Sequence, residues 1–317
     1  MYRKNNSGGK KMTEFMPEGH LIHTAENQSR MASYFALSEC RENGAIIEAP
    51  CLICDSRHDL IIDLGCMRGI IPREEGAIGI SEGTTKDIAL ISRVNKPVCF
   101  IITDFRRGET GEVYAVLSRR AAQERCREKY LKSLAPGDII PARVTHLEPF
   151  GCFVDIGCGI PSLIPIDMIS VSRISHPSDR FHVGQDIYAA VRSLDNDRIC
   201  LTHKELLGTW EENASMFEIG ETVTGTVRSI EEYGIFVELA PNLAGLAEVR
   251  SGTTVNSCAS VYIKAIIPEK MKIKLIIVST SDEGYHNNEL KYFRTSGHID
   301  RWVYSSESAG KLIQTIF

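Results

Sequence analysis

Phe150 and Phe153 flank Gly151-Cys152, and Tyr233 and Phe236 flank Gly234-Ile235. An aromatic ring on a protein surface can stack a nucleobase, because every base has a π-face, and each such stack contributes roughly 1–3 kcal/mol. For that chemistry the rings must sit side by side and outside the core. On a regular strand, residues three apart point to opposite faces. A glycine between two aromatics signals a β-bulge, and one extra residue at Gly151 and Gly234 would return both rings of each pair to one face. Asp155 and Glu238, further along the same strands, are then expected to make that surface polar. The residues alone leave open the alternative that all four rings are core.

The elements that must position the rings occur twice. Gly137 to Leu147 leads into Phe150-Gly151-Cys152-Phe153-Val154-Asp155-Ile156, and Gly220 to Ile230 leads into Tyr233-Gly234-Ile235-Phe236-Val237-Glu238-Leu239. The central glycines are 83 residues apart (234 − 151). That period is too long for a solenoid and suits a small domain used more than once. Runs such as Thr222-Val223-Thr224-Gly225-Thr226-Val227-Arg228 alternate with period two, the pattern of a half-buried strand.

With Ser162-Leu163-Ile164-Pro165 and Gly245-Leu246-Ala247-Glu248 following, each copy resembles the S-one RNA-binding domain, a family named after the largest small-subunit ribosomal protein of bacteria. The resemblance implies a mostly β chain of tandem five-stranded OB-fold barrels joined by short helices, binding single-stranded RNA or mRNA. The closing strands fit at Gly184 to Leu194 with Arg198 to Thr202, and at Ala259 to Ile267 with Lys272 to Leu275. The join from Leu201-Thr202-His203-Lys204 through Thr209-Trp210 to Phe217 and Gly220 is similar to the inter-domain join of the ribosomal protein. Carried over by position, the family's RNA-facing residues imply Phe150, Phe153 and Arg198 in one copy, and Arg228, Tyr233, Phe236 and Lys272 in the other. One departure stands out. Many family members place a histidine on the third strand where this chain has Pro165 and Glu248, and Glu248 would repel phosphate.

A third copy lies upstream. Gly44 to Ala49 leads to Leu60-Ile61-Ile62-Asp63-Leu64-Gly65 and Gly69-Ile70-Ile71-Pro72. Aligned on Gly65 and Gly157, its ring positions hold His58 and Ile61, and its glycine position holds Asp59. This copy keeps the fold pattern and lacks the stacking surface. By the same resemblance, it and the N-terminal segment are expected to contact the small ribosomal subunit. The expected organisation is an arm and short helix at 1–42, with Met31 to Cys40 helical, then a degenerate barrel at 43–118 and a basic helical linker at 119–136. A barrel at 137–203, a helical linker at 204–219, a barrel at 220–282 and an aromatic-rich extension at 283–317 follow.

Composition sets further bounds. The 317 residues suffice for two or three domains. With 36 basic against 41 acidic residues the net charge is −5. That argues against a grip on duplex DNA by counterion release, and leaves stacking-led RNA binding intact. No apolar run reaches bilayer-spanning length, and the polar N-terminus, which reads as a disordered arm, lacks a secretory h-region. The expected compartment is the cytoplasm. Ten cysteines are spread along the chain. The single C-x-x-C, Cys51 to Cys54, has no second pair, so no metal or cofactor is expected and the thiols read as free. The helix expected from Leu117 to Lys132 carries the densest basic patch, readable either as an RNA or ribosome contact or as a solvated face paired to Glu. Trp210 and Phe217 are expected to pack a join against a barrel. The rings Tyr285, Tyr292, Phe293, Trp302, Tyr304 and Phe317 either fold back on a barrel or, with Lys291, Arg294 and Arg301, extend an RNA path. The chain contains no phosphate loop and no His-Glu-x-x-His, and no catalytic residue is expected. The function expected is single-stranded RNA binding as a ribosomal-protein-like translation factor. The alternatives are a ribosome-independent RNA regulator or chaperone, and a protein–protein scaffold.

Overall fold

The computed structural model describes residues 14–109, 111–195, 198–281 and 290–317. Tyr285 and the arm at 1–11 lie outside the described residues. Three closed five-stranded barrels follow one another along the chain. The first contains β1 (Ile47–Cys54), β2 (Leu60–Asp63), β3 (Arg68–Ile71), β4 (Pro97–Arg107) and β5 (Val113–Ser118). The second contains β6 (Ile139–Glu148), β7 (Gly151–Asp155), β8 (Pro161–Pro165), β9 (Asp186–Asp195) and β10 (Arg198–Thr202). The third contains β11 (Thr222–Glu231), β12 (Gly234–Ala240), β13 (Leu243–Ala247), β14 (Cys258–Ile267) and β15 (Lys272–Ser281). In each, the strand order is first, second, third, fifth, fourth, and the third and fifth strands run parallel. These are the tandem five-stranded OB-fold barrels that the resemblance implied.

Strand alternation explains why these segments close. Along β15, Ile273, Leu275 and Ile277 turn inward while Lys272, Lys274 and Ile276 face out. β-Branched and aliphatic residues fit such half-buried surfaces. The first barrel encloses Ile47, Leu60, Ile62, Ile71, Phe100 and Leu117. The third encloses Val227, Val237, Val261, Ile263 and Leu275.

The chain divides into two compact units, one running through residue 134 with residues 155–161 added, the other 135–154 with 162 onward. The first unit holds helices α1 (Ala25–Arg30), α2 (Tyr34–Asn43), α3 (Ile88–Ile91) and α4 (Arg119–Lys129). The helix expected over 117–132 is thus α4, capped by Ser118, whose hydroxyl accepts from the Ala121 N–H. Three of its basic residues, Arg119, Arg120 and Arg125, are paired to carboxylates. Arg119 is buried and donates to Glu18 at 2.6 and 3.0 Å. Arg120 meets Glu75 and Glu124, Arg125 meets Glu14, and Lys132 just beyond meets Glu128. Glu18 also accepts from Arg93 and from the Cys99 N–H. Burial works against the Glu18 charge, but Arg119 and Arg93 outweigh it and hold its carboxyl below the ordinary range. Gly159 makes this packing possible: its φ is +73°, and a Cβ there would collide with the Arg119 guanidinium.

The second unit carries α5 (Trp210–Ala214) and the C-terminal ribbon β16 (Arg301–Val303) and β17 (Gln314–Ile316). Trp210 is buried with the third barrel's core, and Phe217 packs against the same core. The C-terminal segment folds back and bridges both barrels of this unit. Ile139 N–H donates to the Gly297 carbonyl, and Ile299 N–H to that of Gly137. Trp302 and Tyr304 are buried, and the Tyr304 hydroxyl donates to the Asn242 carbonyl at 2.7 Å. Tyr292 stacks edge-on against Tyr188 and His203, and Arg192 lies over the Phe317 ring. Asn242, fully buried, ties the joint from within: its Nδ2 donates to the Lys204 and Gly208 carbonyls, and its Oδ1 accepts from Val171.

Candidate nucleic-acid interface

The two ring pairs adopt the same geometry on their barrels. Phe150 is 56% exposed and Tyr233 71% exposed, while Phe153 and Phe236 are half-buried. Ring centroids lie 6.0 Å apart at 89° in the second barrel and 6.2 Å apart at 88° in the third. Each pair therefore presents one face and one edge, an arrangement aromatic groups favour over a flat sandwich. A base laid on one ring meets the edge of the other.

The rings reach one side by a different route from the one expected. Phe150 and Tyr233 sit in the turns before β7 and β12, where strand alternation does not apply. In the third barrel the ladder pairs Glu231 with Gly234, Ile230 with Ile235 and Ser229 with Phe236 without a break. The irregularity falls on the partner strand, between Val227 and Ser229. Gly151 and Gly234 serve close approach instead. A Cβ at Gly234 would lie 2.7 Å from the Ala247 carbonyl oxygen, and one at Gly151 would lie 2.5 Å from that of Ile164. The third strand of each barrel passes directly over the glycine.

The carboxylates expected beside the rings are not on that surface. Asp155 is buried and accepts N–H bonds from Glu18, Gly157 and Gly159. Burial pushes its carboxyl up to about 7. Glu238 is buried between Arg180 and Arg228. Arg228 likewise departs from its expected place. Its guanidinium donates to both Glu238 oxygens at 3.0 and 3.2 Å and lies 3.6 Å from Asp179. It lines a cleft of about 620 Å³ with Asp179, Arg180, Asn213 and Lys291, where two carboxylates already offset its charge.

Arg198 and Lys272 open β10 and β15 and are exposed. Lys274, missed from the sequence, is in register with Leu246, which pairs with Phe236. It is also the next outward position after Lys272, and that period-two spacing was the signal for it. His146 on β6 was missed as well. Its exposed ring lies 6.5 Å from Phe153, tilted by 35°. Glu248 is exposed one residue beyond Ala247, which pairs with Ile235.

The first barrel presents a different face in the same register. Ile53 pairs with Ile61, Ile61 with Ile70, and Ile70 with Val116. His58, at the position of Tyr233, sits in a turn with φ 65° and faces Asp87 at 3.7 Å. Asp59, at the position of Gly234, accepts the Arg73 N–H at 2.9 Å.

A closed OB-type barrel with paired rings on its outside defines the class. Residues 133–204 match the S1 RNA binding domain, so the second barrel belongs to that family, the one the repeats resemble. The chain is similar to a small ribosomal subunit protein bS1 homolog of Bacillus subtilis (strain 168), 32% identical over 197 residues, 60% of this chain and 49% of that protein. It is 31% identical to the small ribosomal subunit protein bS1 of Staphylococcus aureus (strain COL) over 224 residues, 68% of this chain and 54% of that protein. The chain thus spans about half the length of these relatives. A solved multidomain protein with nucleic acid binding domains from Streptococcus pneumoniae aligns over 77% of this chain and 76% of its own, at 13% identity and a TM-score of 0.25.

Proposed function

We propose that this chain binds single-stranded RNA through the outer faces of its second and third barrels and acts in the cytoplasm in translation, as a ribosomal-protein-like factor and not as a catalyst. The observation that carries the reading is the exposed ring pair, built with one geometry in both barrels from different residues. Rings that served only the core would not stand 56% and 71% in solvent. The similarity to bS1 proteins and the match to the S1 RNA binding domain support it. Arg198 in one barrel and Lys272 with Lys274 in the other supply phosphate contacts beside the rings.

The first barrel supports a second contact, to protein. Ile53 and Ile61 stand where the second barrel has His146 and Phe153, and with Ile70 they make an aliphatic strip, which binds no base by stacking but suits a protein surface. We assign it a contact with the small ribosomal subunit. Fluorescence anisotropy with a single-stranded RNA and a DNA duplex of equal length tests the RNA reading: the RNA binds and the duplex does not. Duplex binding of equal strength overturns it. Co-sedimentation with small subunits after nuclease treatment tests the second contact. Loss of all sedimentation after nuclease leaves only message-mediated association.

A further inference from the structure

We propose that His146 is a third base-contacting ring of the second barrel, and that it sets the RNA affinity of that barrel above that of the third. The proposal rests on the RNA-binding reading of the Phe150–Phe153 surface and deepens it.

His146 lies on β6, the neighbour of the ring-bearing strand, with its side chain 64% exposed. Its imidazole is 6.5 Å from the Phe153 ring, and Phe153 is 6.0 Å from Phe150. The three rings form one continuous run, His146 to Phe153 to Phe150. The tilt of 35° between His146 and Phe153 brings these two nearer to parallel than the edge-on Phe pair. Such a run offers a place to a second base without any movement of the backbone.

The imidazole is held in place. Nε2 is 2.7 Å from Oε1 of Glu148, two residues along the same strand. An imidazole anchored through one nitrogen keeps the other for a further hydrogen bond, here Nδ1 toward a base edge or a 2′-hydroxyl. The strand beneath is also tied. The Thr145 hydroxyl donates to the Phe153 carbonyl at 3.1 Å, which locks β6 to β7 where the two rings meet.

The same position in the other barrels makes the residue a discriminator. In the third barrel it is Ser229, paired with Phe236, and in the first it is Ile53, paired with Ile61. Among the three barrels the second alone carries a ring there. Many members of the resembling family place an imidazole on the third strand, where this chain has Pro165. Here an imidazole reaches the platform from the opposite neighbour.

The test uses the full chain and a fluorescein-labelled single-stranded pyrimidine RNA of twelve nucleotides at one fixed salt concentration. His146→Ala is expected to weaken binding by about five- to twentyfold, the loss of one partly formed stack. His146→Phe keeps the ring and is expected to restore most of the affinity. Thermal midpoints of both variants stay at the native value, because the side chain is exposed. Phe150→Ala/Phe153→Ala is measured in parallel. If the double variant loses RNA and His146→Ala does not, this proposal is overturned and the RNA reading stands. If neither variant loses RNA, the reading of the second barrel fails, and the proposal with it. If His146→Ala weakens binding and His146→Phe fails to restore it, the contact is not a stacking one and the proposal is wrong.

Discussion

The first and second barrels share a strand order and differ in what they turn outward. In the first, the register runs from Ile53, Ile61 and Ile70 to Val116, the last of them buried. In the second, the corresponding positions are His146, Phe153, Leu163 and Cys200, the last two in register with each other. Inward residues are of one kind in both, with Leu60, Ile62 and Leu117 in one and Val144, Val154 and Leu201 in the other. Closing a barrel constrains the inward positions, where burial of aliphatic surface drives folding. Outward positions bury little, so their chemistry can change without loss of the fold. The third barrel stands between the two. It keeps Tyr233 and Phe236, places Ser229 where the second has His146, and carries Lys274 where the second has Cys200.

The largest expected effect tests this contrast most directly. Replacing Phe150 and Phe153 with alanine should weaken RNA binding by roughly 2–6 kcal/mol, two stacks at 1–3 kcal/mol each. Replacing Ile53 and Ile61 should leave RNA affinity unchanged. Equal losses from both pairs, read by anisotropy, would break the comparison. Because Phe153 is half-buried, the first variant also loses about 1 kcal/mol of stability, far short of the ~3–5 kcal/mol for a buried Phe. Denaturant midpoints measure that. Tyr233→Ala with Phe236→Ala should cost less, about 1–3 kcal/mol, since Glu248 stands exposed near the pair. Removing Lys272 and Lys274 in addition should flatten the slope of log K against log salt by about 0.7 per lysine that neutralises a phosphate.

Arg228→Gln should act on stability and not on RNA. It takes one partner from buried Glu238 and leaves Arg180 in place, so about 1–3 kcal/mol is expected, below the ~3–5 kcal/mol for a buried charge left alone. A variant of native stability with weakened RNA binding would return Arg228 to the interface. The smallest effect concerns the first barrel alone. Burial pushes the Glu48 carboxyl up to about 7, from an ordinary value of about 4.3. The folded state then holds this proton more tightly than the unfolded state does. The corresponding stability is complete below the unfolded value and is lost as pH rises through 7. The first barrel's unfolding midpoint should rise as pH falls from about 7.5 to 5.5, and Glu48→Gln should flatten the rise. An unchanged slope would show that another group governs it.

The barrels were legible because their signal is local: period-two alternation, the repeated glycines and the aromatic-Gly-x-Phe phrase lie within one hairpin. The ring pairs were legible for the same reason. Their route to one face was not, since the alternation argument treated Phe150 and Tyr233 as strand residues when both lie in turns. The ion pairing of Arg228 was not legible in full, because Asp179 comes from the preceding barrel. The Glu18–Arg119 pair spans 101 residues, a separation no local pattern encodes. His146 escaped notice because the family positions carried over to the second barrel lie on β7, on β10 and in the turn, and a lone histidine beside a glutamate has no periodic signature.

The C-terminal segment that bridges the second and third barrels has a thermodynamic consequence for any ligand that touches both. Two binding modules on a slack tether see each other's ligand at an effective concentration that falls as the tether lengthens. Here Ile299, Trp302 and Tyr304 are buried in the joint, and Asn242 fastens it from inside. The second contact of one RNA strand then costs no further ordering of protein. An oligonucleotide too short to reach both ring pairs should bind with the affinity of one barrel. Beyond a threshold length, affinity should step up sharply instead of climbing gradually.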